Sequence, residues 1–147
     1  WYSSYGEGWA LYTESLGEEL GVYQDPYQYF GMLGAEMHRA IRLVVDTGLH
    51  SKGWTREQAI QYSLDNEAES EASITSEIER YMANPGQALS YKIGQLKIRE
   101  LRLRAETALG AAFDIKVFHR KVLESGCIPL QYLEEKIDHW IQSTKNK

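Results

Sequence analysis

The run Tyr5-Gly-Glu-Gly-Trp-Ala-Leu-Tyr-Thr-Glu14 begins the first of a series of helical patterns in this chain. Apolar side chains recur at the spacing i, i+3, i+7 and i+11, which places Trp9, Tyr12, Leu16 and Leu20 on one helix face. Gly21 follows, and a glycine at this position is a common signal for the end of a helix. We therefore predict a helix over residues 6–20.

The same kinds of signal recur along the rest of the chain. Asp25-Pro26 is typical of a helix N-terminus, Thr55-Arg-Glu-Gln58 forms a capping box, and Asn84-Pro-Gly86 breaks a helix. Further helices are predicted at about 26–47, 55–65, 69–83, 86–109, 114–126 and from 129 onward. No segment shows the alternation of a strand. We predict an all-α, multi-helix bundle of six or seven helices that forms a single domain, residues 1–147.

Two long helices carry apolar stripes that we expect to be buried. The second helix has Phe30, Leu33, Met37, Ile41, Val44 and Val45, and the fifth has Leu89, Ile93, Leu96 and Leu101. Gly31 and Gly34 could admit a neighbouring backbone. The segment 48–53, which contains His50, is predicted to be a loop.

The composition excludes several classes of function. The formal net charge is −5, which argues against nucleic-acid binding and against docking on anionic lipid. No apolar run approaches about 18 residues, so no membrane span is expected. Cys127 is the single cysteine, and an internal disulfide is therefore impossible. The compartment stays open, since periplasmic, secreted and cytoplasmic proteins all tolerate one thiol.

A few polar residues are candidates for a site. Glu7, between two glycines at a helix start, could be a carboxylate favoured by the helix dipole or a metal ligand. Arg42 could pair with Asp46 one turn away or bind a substrate carboxylate. Tyr91 could donate its phenol proton to an oxyanion or simply cap the core, and His50 could act as a donor or base or be a solvated loop imidazole. No His-Glu-x-x-His motif is present, so no complete zincin site is expected.

Several of these motifs occur together and in order. They are Glu7-Gly-Trp-Ala-Leu-Tyr-Thr-Glu14, Gly21-Val-Tyr-Gln-Asp-Pro-Tyr27, Arg39 to His50, Gly53-Trp-Thr-Arg-Glu-Gln-Ala59, Arg80-Tyr81, Asn84 to Gly94 and Phe113 to His119. The set resembles the C-terminal part of the DUF885 family of bacterial proteins, which is similar to helical zinc metallopeptidases of the gluzincin kind. The resemblance implies that this bundle is a fragment of a larger, helical zincin-like fold.

The resemblance also implies roles for individual residues. Glu7 would be the third protein ligand of a zinc ion, beside two histidines of an upstream His-Glu…Pro-Gly-His-His motif. His50, Tyr91 and Arg42 would be the catalytic candidates, acting on a peptide substrate. The upstream motif is absent from this chain, which looks like a fragment of a longer parent. We therefore expect zinc in the parent, and neither zinc nor peptidase activity in the fragment alone.

Two alternatives remain. The chain could be a non-catalytic helical domain that binds peptides, or a structural domain that completes a larger fold. If a missing part normally covers the face that contains Glu7, the fragment should expose an apolar patch there and self-associate, for example as a homodimer.

Overall fold

The computed structural model describes residues 1–146, and this part of the chain forms seven α-helices and no strand. The helices are α1 (Ser3–Glu19), α2 (Pro26–Ser51), α3 (Arg56–Asn66), α4 (Glu71–Ala83), α5 (Ser90–Leu109), α6 (Ile115–Leu123) and α7 (Leu130–Lys145). Short 3-10 turns at Gln87–Leu89 and Gly110–Ala112 flank α5. The prediction of an all-α multi-helix bundle is confirmed. None of the described helices is long and apolar enough to cross a membrane.

Local capping interactions explain where three of the helices begin. The Asp25 side chain accepts a hydrogen bond from the Tyr27 N–H at the start of α2. Thr55 and Gln58 form the reciprocal capping box that starts α3. Asp114 accepts from the backbone at the start of α6. Each cap satisfies N–H groups that have no partner within the helix, so the sequence signal and the observed boundary agree closely.

The buried side chains form two clusters. One cluster joins α1, α5, α6 and α7, and its core comprises Tyr5, Tyr12, Ile98, Leu101, Ala105, Leu109, Phe118, Val122, Leu133, Ile137 and Ile141. The other joins α2, α3, α4 and the first 3-10 turn, with Ile41, Val45, Ala59, Ile60, Ile74, Ile78, Tyr81 and Ala88. The start of α5 lies between these clusters, next to the first 3-10 turn.

Helices α1 and α5 cross in direct backbone contact. A Cβ atom added to Gly94 would lie 1.8 Å from the Ser4 carbonyl oxygen, and one added to Gly8 would lie 2.4 Å from the Gly94 backbone. The Gln95 side chain donates to the Leu11 carbonyl across the same crossing. Glycine is required at both positions because any side chain would force the two helices apart. The crossing therefore fixes the helix of Glu7 against the start of α5.

The predicted burial of α2 is wrong in its first half. Phe30 is 71% exposed and Met37 is 52% exposed, whereas the buried apolar residues begin at Ile41. Added Cβ atoms on Gly31 and Gly34 would meet nothing within 4 Å, so no neighbouring backbone approaches there. The periodicity correctly identified residues that share a face, but no described element covers that face.

The predicted apolar side of α5 also needs correction. Ile93 and Leu96 are nearly half exposed, at 45% and 49%. The helix instead buries Gly94, Gln95, Ile98, Leu101, Ala105 and Leu109. Small residues occupy part of this face because α1 comes too close for larger ones.

Candidate functional site

Two of the predicted site residues, Arg42 and Tyr91, are in contact. Arg42 lies in the middle of α2 and is 7% exposed, while Tyr91 lies in the first turn of α5 and is half-buried. The guanidinium carbon of Arg42 stands 4.7 Å from the centre of the Tyr91 ring. This is a cation–π contact, and its burial from water strengthens the attraction.

Arg42 is held in place by polar partners on α4 and on its own helix. Its Nη2 donates to Glu77 at 2.8 Å and lies 3.1 Å from the His38 ring nitrogen Nε2. Its Nε donates to the Tyr81 hydroxyl at 2.9 Å. With Arg80, which also binds Glu77, these residues form what we call the Glu77 cluster: His38, Arg42, Glu77, Arg80 and Tyr81.

The predicted pairing of Arg42 with Asp46 is wrong. The Asp46 carboxylate is buried and accepts hydrogen bonds from the Gly86 N–H, at 3.2 and 3.1 Å. One helical turn separates the two residues, but Arg42 turns towards α4 because Glu77 offers it a carboxylate there.

The electrostatics of the cluster are centred on Glu77. A hydrogen bond from Arg80, assisted by one from the Tyr81 hydroxyl and by the charges of Arg80 and Arg42, holds the pKa of Glu77 at about 2. Burial raises the pKa of the Tyr81 phenol far above its ordinary value. Tyr81 is therefore a neutral donor to an ionised Glu77 throughout the physiological pH range.

His38 completes the cluster in a defined tautomer. Arg42 Nη2 can only donate, so the His38 nitrogen Nε2 that it contacts must accept. The proton then resides on Nδ1, which donates to the Glu67 carboxylate at the end of α3. His38 thus connects α3 to the guanidinium on α2.

The start of α5, and therefore Tyr91, is attached to the same cluster. Arg80 binds Glu77 with Nε and Nη2, and its Nη1 donates to the Gln87 side chain at 2.8 Å. Gln87 opens the 3-10 turn that leads directly into α5. Gly86, just before it, has φ of +80°, a conformation that favours glycine.

His50 lies in the last turn of α2, and the prediction of a loop is wrong here. The helix continues through Gly48, where a Cβ would lie 2.5 Å from the Trp54 ring, and ends before Gly53, whose φ is +68°. The exposed His50 ring places Nε2 3.0 Å from the Tyr81 carbonyl oxygen, so Nε2 carries the proton and donates. His50 is thus joined to the Glu77 cluster through the backbone of Tyr81.

Glu7 lies on α1, immediately before the Gly8–Gly94 contact, and is half-buried. It makes no hydrogen bond or ion pair within residues 1–146, and it has no described contact with Arg42, His50 or Tyr91. Every other carboxylate of that range that is at least half-buried has a partner: Glu36, Asp46, Glu67, Glu77, Glu106, Glu134 and Asp138.

The described residues do not form a complete metal site. No group of three or more His, Cys, Asp or Glu side chains within residues 1–146 is placed to hold a metal ion. A catalytic zinc ion commonly takes three protein ligands, and residues 1–146 do not provide such a set.

Sequence reasoning missed Glu77 and His38. A signal for each exists in the helical spacing, since His38 precedes Arg42 by four residues and Glu77 precedes Tyr81 by four. That spacing predicts neighbours along one helix. It does not show that α2 and α4 bring the two pairs together.

Comparison with known proteins identifies the family. The crystal structure described as that of a "putative lipoprotein from Colwellia psychrerythraea" superposes with a TM-score of 0.95 and is 52% identical, over 97% of this chain. The chain spans 24% of that protein's length. No curated protein matches the chain. The family described as "Bacterial protein of unknown function (DUF885)" matches residues 1–137, and the chain therefore belongs to the DUF885 family.

Proposed function

We propose that this chain is the C-terminal helical portion of a zinc-dependent peptidase and that Glu7 is the zinc ligand it contributes. The observation that carries the proposal is the unpaired state of Glu7 among the half-buried carboxylates of residues 1–146. No described residue donates to the Glu7 carboxylate, and its oxygens are not sealed from solvent, so a metal ion could bind them directly. The ordered motifs shared with the family support the same assignment.

The second support is the arrangement around Tyr91. Its ring contacts the Arg42 guanidinium, while its hydroxyl makes no hydrogen bond to any described residue. A positioned phenol with a free O–H can donate to the oxygen on which negative charge develops during peptide hydrolysis. We assign this donor role to Tyr91.

Arg42 would then act through Tyr91. Its Nη1 is buried and has no partner within the described residues, and its other nitrogens are engaged by the Glu77 cluster. A substrate carboxylate could not reach this guanidinium without rearrangement of the cluster. His50 is better exposed, and because Nε2 donates to the Tyr81 carbonyl, Nδ1 is the nitrogen available to a substrate.

The peptidase would need residues beyond this chain. Zinc, when bound, would polarise the peptide carbonyl and activate water. Because the described residues offer no complete ligand set, we expect the 147-residue chain alone to hold no zinc and to cleave no peptide. The description of the relative as a lipoprotein favours a location outside the cytoplasm for the whole protein.

One observation favours a second candidate, a helical domain that binds peptides without cleaving them. A groove of about 260 Å³ lies between α2 and the end of α3, lined by Phe30, Leu33, Gly34, Met37, Asn66, Glu67 and Ala68. Its apolar wall is exposed and could accept apolar side chains of a peptide. Peptide binding by the 147-residue chain in the absence of metal would favour this candidate.

The proposal is tested in a longer chain that adds the upstream part of the protein. Wild type, Glu7→Gln and the control Glu14→Gln would be compared for zinc content by mass spectrometry and for cleavage of a peptide library. Glu14 lies two turns further along α1 and is exposed, so the control alters the same helix without touching a half-buried group. We expect about one zinc per chain in wild type and Glu14→Gln, and the loss of both zinc and cleavage in Glu7→Gln. Retention of zinc by Glu7→Gln would refute the ligand assignment.

A further inference from the structure

We infer that Glu77 is a positioning residue: it fixes the Tyr91 ring by holding the Arg42 guanidinium over it and by anchoring, through Arg80, the turn from which α5 starts. The inference rests on the proposed function, since Tyr91 is the donor that is positioned. It adds to that function Glu77 on α4, which lies outside the sequence motifs quoted above. No described contact joins Glu77 to Tyr91 directly, so its influence passes through the two arginines.

The first connection runs through Arg42. Glu77 Oε2 accepts from Arg42 Nη2 and from the Tyr81 hydroxyl, both at 2.8 Å, while Tyr81 itself accepts from Arg42 Nε. The three groups form a closed triangle of hydrogen bonds, two of them to an ionised group. A planar guanidinium held at two of its nitrogens cannot rotate, so the face it presents to Tyr91 is set.

The second connection runs through Arg80. Both Glu77 oxygens accept from Arg80, at 2.9 Å each, and this two-point pairing orients the remaining nitrogen towards Gln87 at 2.8 Å. Gln87 lies four residues before Tyr91. The Glu77 carboxylate therefore holds both Arg42, which contacts the Tyr91 ring, and the turn at Gln87 that leads into the first turn of α5.

The charge of Glu77 is needed for both connections. A glutamine at this position keeps one acceptor oxygen, but replaces the other with a donor that would oppose the arginines and the Tyr81 hydroxyl. The four hydrogen bonds that now converge on the two carboxylate oxygens could not all form. The Glu77→Gln variant should therefore release Arg42 from the Tyr91 face while it changes little of the side-chain volume.

The control is Glu79→Gln. Glu79 lies two residues away on the same helix, is exposed, and pairs with Arg56 rather than with the cluster. It removes one carboxylate of α4 and one ion pair without touching Arg42 or Arg80. Arg80→Gln is a second test variant: Arg80 is 38% exposed, so its removal breaks the second connection without burying an unpaired charge.

The first readout does not depend on peptidase activity. In the ¹⁵N-labelled 147-residue chain, the Arg42 Nε–H signal should carry a ring-current displacement from Tyr91, which the Tyr91→Leu variant identifies by removing it. We expect Glu77→Gln to lose most of this displacement, Arg80→Gln to reduce it, and Glu79→Gln to retain it. Circular dichroism would check that each variant is folded. The inference would be overturned if the Arg42 signal of Glu77→Gln kept the full ring-current displacement. It would also be overturned if Glu77→Gln lost the displacement only because the variant lost its helical circular dichroism, while Arg80→Gln left the displacement unchanged.

The second readout uses the longer, zinc-loaded chain. Displacement of a catalytic group by about 1 Å can cost up to about 100-fold in rate. We expect Glu77→Gln to lower kcat by about 10- to 100-fold with KM nearly unchanged, and to have no further effect in a Tyr91→Phe background. Equal effects of Glu77→Gln in both backgrounds would show that it does not act through Tyr91. If the longer wild-type chain showed no peptidase activity, the proposed function would be refuted, and with it the reaction that this positioning serves. This outcome does not depend on the Arg42 NMR signal, which tests the positioning of Tyr91 separately.

Discussion

Replacement of Gly94 by alanine should force α1 and α5 apart. The new Cβ would lie 1.8 Å from the Ser4 carbonyl oxygen and 2.6 Å from the Gly8 Cα. A relaxed carbon–oxygen contact is about 3.4 Å, so roughly 1.5 Å of separation is required. Both obstructing groups are backbone atoms, and no rotamer change can relieve the overlap.

The cost follows from what the separation disrupts. Overpacking of this kind costs about 1–3 kcal/mol, and a backbone clash belongs at the upper end of that range. Alanine also gains about 1 kcal/mol of helix propensity over glycine. We expect a net loss of about 2 kcal/mol, which lowers the urea midpoint by about 1 M for a chain of this size.

Gly34→Ala is the matched control, since it makes the same chemical change inside α2 where an added Cβ meets nothing within 4 Å. It should stabilise the chain by up to about 1 kcal/mol. The assay is urea unfolding followed by circular dichroism at neutral pH. If Gly94→Ala unfolds at or above the wild-type midpoint, the helices do not cross in backbone contact and the placement of Glu7 beside α5 loses its support.

Three further predictions concern acid and association. The contribution of Glu77 to stability is complete above pH 4.5 and is lost as the pH falls towards its pKa of about 2. The lowering of this pKa is worth about 3 kcal/mol, which solvent screening of the 26% exposed side chain reduces to about 1–2 kcal/mol. The urea midpoints of wild type and Glu77→Gln should therefore converge between pH 7 and pH 3, and a constant difference would contradict this. Burial, with the charge of Arg102, lowers the pKa of His119, whose Nε2 lies 2.8 Å from the Tyr12 hydroxyl; stability should decline as the pH falls below 6.5, and His119→Gln should flatten that decline in the same titration. The exposed apolar start of α2 should drive self-association of the 147-residue chain, so Phe30→Ser should lower its average mass in light scattering, whereas a wild-type chain that stays monomeric at high concentration would refute the idea.

Helix positions could be predicted because their signals are local. Asp25-Pro26, the Thr55–Gln58 capping box and Asp114 each satisfy backbone N–H groups within four residues, and the corresponding helices start within a residue or two of the predicted positions. His50 shows the limit of this reasoning. Gly48 resembles a helix end, yet the helix continues because the missing side chain provides space for Trp54.

Burial could be predicted less well, because periodicity says which residues share a face and not what covers it. Phe30, Leu33 and Met37 repeat at helical spacing and nevertheless face outward. On α5 the reverse holds, since Gly94 and Gln95 are among the most buried residues of the helix although neither is a large apolar residue. Close helix approach selects small side chains, and a hydrophobic pattern does not detect them.

Arg42 and Glu7, two of the predicted site residues, differ in whether a described residue of opposite charge contacts them. The Arg42 charge is matched by Glu77, thirty-five residues away in sequence, and its guanidinium lies over the Tyr91 ring. A guanidinium so fully engaged is suited to holding another side chain rather than to capturing a substrate. Glu7 is the opposite case, a half-buried carboxylate that no described cation balances. The two residues would therefore serve different parts of the proposed chemistry: Arg42 would orient a donor within this chain, and Glu7 would offer a ligand to a metal whose other ligands lie outside it.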